Sequence, residues 1–162
     1  PELVDKIRDI VMKHELVYGI HDLVVHDYGP GRMMISLHTE VPGNENVYKL
    51  HDMIDNIESE LQEKIGCEAV IHMDPIEVDN QVVTDTRSKV ENIVKSIDEH
   101  MSIHDFRMIT GDTHTNLIFD VVVPFCVEKK HDEIKNNIEE KISELDDKYR
   151  VVMKIEEDYI GN

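Results

Sequence analysis

The chain has 162 residues, with 35 Asp and Glu against 17 Lys and Arg, which gives a formal charge of −18 with neutral histidines. That charge repels phosphate backbones and anionic lipid surfaces, so it argues against nucleic-acid binding and polybasic membrane docking, and it attracts cations. Apolar residues make up 40% of the sequence, enough for packed cores in one ordinary domain or two small ones, and no apolar run is long enough to span a bilayer.

The chain opens Pro1-Glu2-Leu3-Val4, with no initiator Met, basic segment or apolar leader, and reads as a piece of something longer. Residues 2–14 place Leu3, Ile7, Ile10 and Val11 at helical spacing. A short β-branched strand is predicted over Ile20–Tyr28, followed by a Gly-Pro-Gly turn. In the second strand Met33, Ile35, Leu37, Thr39 and Val41 alternate with Met34, Ser36, His38 and Glu40. A long helix over 47–65 carries Val47, Leu50, Ile54, Ile57, Leu61 and Ile65 as its apolar stripe, with Gly66 as its C-cap. A strand over Cys67–Met73 completes the set.

The pattern then returns. Ile20-His21-Asp22-Leu23 recurs as Ile103-His104-Asp105-Phe106, Val41-Pro42 as Val123-Pro124, and His51-Asp52 as His131-Asp132, in the same order and at nearly constant separation. Val90, Ile93, Val94 and Ile97 repeat the first helix and Ile103–Thr110 the first strand. Ile134, Ile138, Ile142 and Leu145 repeat the long helix, and Tyr149–Ile155 the last strand. The expected fold is α+β: two tandem ferredoxin-like α-β-β-α-β units, 1–79 and 83–162, each with helices packed on one face of a three-stranded sheet.

Five side chains in the first unit could carry chemistry: His21 at the start of a strand, His38 within the next, His51 on the long helix, and His72 and Asp74 two apart on the last strand. Imidazole with carboxylate is the ligand set of Zn²⁺, Fe²⁺, Mn²⁺ or Ni²⁺. A lone His on a polar strand face is more often merely solvated, and spacing alone leaves both readings open. Cys67 and Cys126 form neither a disulfide framework nor a CxxC pair, as suits a reducing compartment. The eight Met read as core filler, His14, His26 and His100 as surface or helix-end residues, and no nucleophile elbow or phosphate-binding loop points to an enzyme.

Gly19-Ile20-His21-Asp22-Leu23, Gly29-Pro30-Gly31-Arg32, Leu37-His38-Thr39-Glu40-Val41, His51-Asp52 and Val70-Ile71-His72-Met73-Asp74-Pro75 together resemble the cytoplasmic C-terminal domain of cation diffusion facilitator transporters, over about residues 2–78. The resemblance implies a dimerising domain on the cytoplasmic side of the cell membrane, attached to a transmembrane exporter of divalent cations. It also implies that His21, His38, His51, His72 and Asp74 ligate metal near the dimer interface, Zn²⁺ foremost, with Asp74 bridging a pair of ions. Asp22, Glu40, Asp52 and Asp55 would then orient the imidazoles. The second unit departs from this pattern. Asp120 stands for His38, Lys154 for His72 and Glu156 for Asp74, and an ammonium offers no lone pair. It is expected to be structural, with Lys154 pairing to Asp120 or Glu156. The alternative is a weaker site of His104, Asp120, His131 and Glu156, helped by His114. The function expected is a regulatory, dimerising metal-binding region of an efflux transporter. Its rivals are a small-molecule-sensing ferredoxin-like domain and a purely structural dimerisation scaffold.

Overall fold

The two periodicities resolve into alternating helices and strands in a computed structural model that describes residues 1–158. In chain order the elements are α1 (Glu2–Met12), β1 (Gly19–Asp27), β2 (Met33–Pro42), α2 (Val47–Ile65), β3 (Cys67–Ile76), α3 (Asn80–Ile97), β4 (Ser102–Thr110), β5 (Thr115–Pro124), α4 (His131–Leu145) and β6 (Tyr149–Asp158). They fall into two units, Pro1–Ile76 and Glu77 onward.

In the first unit the strand order is β1-β2-β3, with β1 antiparallel and β3 parallel to β2. A parallel neighbour needs a crossover, and α2 supplies it. Ile7, Ile10 and Val11 of α1 and Ile54, Ile57 and Leu61 of α2 pack on Ile35, Leu37 and Cys67, so the helices cover one face of the sheet. Alternation therefore sends His38 and Glu40 of β2, and His72 and Asp74 of β3, to the other face. The Asn46 side chain caps α2 by accepting from the Tyr48 and Lys49 amides, and Gly66 ends the helix in a left-handed turn at φ 74°. Val47, expected in the buried stripe, is exposed at the first position of α2.

The second unit is likewise ferredoxin-like. Its sheet order is β4-β5-β6, again antiparallel and then parallel. Val90, Val94, Ile134, Ile138 and Ile142 pack on Phe106, Met108, Leu117 and Phe119. Asp79 caps α3 through the Gln81 and Val82 amides.

Both units carry an irregularity that simple alternation does not predict. The register of β1 against β2 shifts between His21 and Val24, and that of β4 against β5 between His104 and Arg107. Asp22 and Asp105 sit there at φ 52° and 53°. An inserted residue of this kind is a β-bulge, and a short polar side chain tolerates the left-handed conformation it demands. The bulge lets Ile20 and Leu23 both reach the core of the first unit although three positions separate them, while His21 stays on the opposite face. Ile103 and Phe106 do the same in the second unit. Strands β3 and β6 run three residues further than the sequence suggests, and β3 continues through Pro75 because an edge strand has no outward ladder bond to lose. Among the described residues no helix is long and apolar enough to cross a membrane.

Candidate metal centre

Strand register assembles the site. His21 pairs with His38, and His38 with His72, so three imidazoles stand in one row across β1, β2 and β3. Two residues along, on the same face, Gly19 pairs with Glu40 and Glu40 with Asp74. Donors far apart in sequence thus converge because the sheet places them side by side.

Asp74 is the hub of the cluster. Its Oδ2 lies 2.9 Å from His21 Nε2 and 3.0 Å from His38 Nδ1, and its Oδ1 is 3.3 Å from His72 Nε2. The ring centroids are 5.0 Å apart for His21 and His38 and 4.6 Å apart for His38 and His72. Asp74 is buried among these rings at 8% exposure, whereas His72 is largely exposed. Glu40, also on the polar face, is only 3% exposed. Its Oε2 lies 3.6 Å from His21 Nδ1, within ion-pair range but outside hydrogen-bond reach, and His21 Nδ1 is buried with no hydrogen-bond partner.

The electrostatics follow from these contacts. Hydrogen bonding to Asp74, then the Glu40 carboxylate, outweighs burial and pushes the His21 imidazole up to about 9. Burial pushes the Asp74 carboxyl up, but the bonds from His21 and His38 overcome it and hold the group below its ordinary range.

Ligand atoms of His38, His72 and Asp74 lie within 4.8 Å of one another, as do those of His21, Asp22 and His38. Imidazole nitrogens with carboxylate oxygens at such spacing fit a divalent ion of the zinc type, which would take the places now held by imidazole protons. Four of the five expected donors, His21, His38, His72 and Asp74, are therefore brought together. His51 stands apart on α2, exposed, with Nδ1 3.5 Å from Asp55 Oδ2. Asp22, read from sequence only as an orienting acceptor, belongs to one of the donor groups. The signal that marks it is the broken alternation between Ile20 and Leu23.

The corresponding row of the second unit is His104, Asp120 and Lys154, followed by Ser102, Val122 and Glu156. Among the described residues of that unit, no three donors gather in this way. His131 Nε2 is 3.0 Å from Glu157 Oε1 rather than beside Glu156. The expected ion pair of Lys154 with Asp120 or Glu156 is not seen among the described residues. Burial, then the charges of Glu156 and Asp105, push the Asp120 carboxyl up, and Lys154 opposes this least of all. A contacting ammonium would lower it.

Residues 1–76 match the family described as the cation efflux protein, cytoplasmic domain. Protein p34 of Rickettsia prowazekii (strain Madrid E) is 33% identical over 78 residues, 48% of this chain and 26% of that protein. Protein p34 of Rickettsia rickettsii (strain Sheila Smith) is 35% identical over the same shares. The chain thus spans about a quarter of the length of these curated relatives. Among solved structures, one of a candidate zinc transporter, CzrB, shares 31% identity over 46% of this chain and 94% of that one, with a TM-score of 0.43. The cytosolic domain of a cation diffusion facilitator family protein shares 24% over 46% and 89%, with a TM-score of 0.42. The likeness to cation efflux protein cytoplasmic domains therefore covers residues 1–76, the first unit of this chain.

Proposed function

We propose that this region binds divalent cations on the cytoplasmic side of an efflux transporter and, by doing so, pairs with a second copy and biases the attached transmembrane part. The observation that carries this reading is the convergence of His21, His38 and His72 on the buried Asp74. Zn²⁺ is the ion the nitrogen-rich set suits best, and Fe²⁺, Mn²⁺ and Ni²⁺ follow. An exposed donor on a helix, outside the cluster of its own chain, is free to serve another, and His51 is assigned that role toward a homodimeric partner. Ion binding can shift the arrangement of paired domains only by its difference in affinity for the two arrangements. Bridging donors from two acidic copies supplies such a difference, because the copies repel until cations intervene. We read the second unit, which gathers no donor set among its described residues, as a degenerate copy with a structural role.

The test is a set of thermal melts with EDTA, Zn²⁺ and Mn²⁺, run beside sedimentation. Zinc is expected to raise the melting temperature and the dimer fraction in the wild-type chain. Both effects should vanish in His72→Ala/Asp74→Ala, and His51→Ala should lose the dimer while keeping part of the thermal shift. Equal melts with zinc and EDTA would refute the proposal.

A further inference from the structure

The least ordinary residue beside the metal centre is a carboxylate that is nearly sealed from solvent. Glu40 lies in the row next to the imidazoles, 3% exposed on the polar side of the sheet, with Oε2 3.6 Å from His21 Nδ1. A charged group is buried in this way only where its surroundings are built for it. Here the room comes from Gly19, the partner of Glu40 across β1 and β2. A Cβ at position 19 would stand 2.4 Å from Glu40 Oε2. The side chain at 19 is thus absent where the carboxylate needs its space. On the other side, His21 turns Nε2 toward Asp74 and leaves Nδ1 buried with no hydrogen-bond partner.

The second unit provides an internal control. Its equivalent positions, paired in the same register, hold Ser102 and Val122. Glycine and glutamate are replaced together in the unit whose described residues gather no donor set, which is the pattern expected if the two serve the site rather than the sheet.

We infer that Glu40, in the space left by Gly19, is a positioning residue that accepts a hydrogen bond from the Nδ1–H of His21 and so commits Nε2 to the metal. This inference rests on the metal-binding reading above. A ligating imidazole binds through one nitrogen and gives its other N–H to an acceptor, which fixes the ring and raises its basicity. His21 Nε2 already faces the hub carboxylate, and a closing movement of a few tenths of an ångström brings Nδ1–H into bonding range of Glu40. Asp22 is a poorer acceptor for this purpose: it approaches His21 at Nε2, at 4.0 Å, and its side chain is exposed.

The experiment compares the wild-type chain with Gly19→Ser/Glu40→Val, a pair of side chains the second unit already accommodates, and with Glu40→Gln, which keeps an acceptor oxygen. Two readouts are taken: the Nδ1–H proton of His21 by ¹H–¹⁵N spectroscopy of the metal-free chain, and zinc affinity by calorimetry. In the wild type the proton is expected as a sharp, downfield, slowly exchanging signal. In the double variant it should disappear into exchange, with zinc affinity falling roughly tenfold to hundredfold. Glu40→Gln should restore the signal and most of the affinity. A folded double variant that keeps both the signal and wild-type affinity overturns the inference. A wild-type chain that shows the protected proton but binds no zinc supports the placement of Glu40 and sinks the metal reading instead.

Discussion

His21 lies between two carboxylates, and its protonation couples the site to pH. Its value of about 9 in the folded chain stands above the 6.5 of a free imidazole, chiefly through Asp74 and then Glu40. A raised folded-state value means that the metal-free fold gains stability that is complete below about pH 6.5 and is lost as pH climbs through 9. Urea unfolding in EDTA at several pH values should show this decline, of order 2 kcal/mol after allowance for partial exposure, and His21→Gln should flatten it. Zinc affinity should move the other way over the same window, because an ion competes with the proton that Asp74 holds in place. At this scale much was readable in advance. Step-two alternation put His38, His72 and Asp74 on one side of the sheet, and the likeness of their motifs to a transporter family singled them out. The burial of Glu40 was not readable, because it depends on which residue of β1 lies opposite, and register between strands is a property of the folded sheet. The position of His51, outside the cluster formed by the strands, likewise depends on where α2 crosses the sheet.

The element that shapes the site is the first strand of each unit. A regular strand from Gly19 to Asp27 would send Ile20 and Leu23 to opposite faces and expose one of them, and the bulge at Asp22 reconciles them. Asp105 performs the same task at φ 53° and, among the described residues, belongs to no gathered donor group, so it isolates the conformational demand from ligand chemistry. Asp105→Gly is expected to be neutral or mildly stabilising, while Asp105→Val, which resists the left-handed conformation, should cost about 1–2 kcal/mol in chemical denaturation. Equal stability of the two variants would show that the bulge is not held by backbone preference. The helices were easier to foresee than this kink. Leu50, Ile54, Ile57 and Leu61 recur at a period that admits one buried face, and Asn46 and Gly66 mark its ends. A bulge leaves only a faint trace in sequence, a single misplaced step in an otherwise regular alternation.

At the scale of the whole molecule, the excess of acidic side chains sets the conditions under which copies can meet. With a formal charge of −18, two metal-free chains repel each other at low ionic strength. Added salt screens that repulsion over a length of about 10 Å at 0.1 M, so metal-free association should strengthen as sodium chloride is raised. Dimers held by shared zinc ligands should depend on salt much less, since contact charges close to a common ion are poorly screened. Sedimentation over a salt series, with zinc and with EDTA, separates the two cases. Identical salt dependence in both would mean that the ion does not mediate pairing. The division into two units with one order of strands and helices was visible in the recurrence of the Ile-His-Asp and Val-Pro steps. Among the described residues the gathered donors all lie in the first unit, and the row of the second holds Lys154, whose ammonium offers no lone pair.

The matching kinks at Asp22 and Asp105 have a consequence for how such a chain can change. Backbone shape and ligand chemistry are stored separately: the second half keeps the bent strand, the strand order and the helix-lined underside, while its outward row holds other side chains. Gathering donors there would require no refolding. Glycine at 102, histidines at 120 and 154, glutamate at 122 and aspartate at 156 would recreate the first half's row on a frame already bent to receive it. The two units thus share one plan and differ in the side chains set out along it.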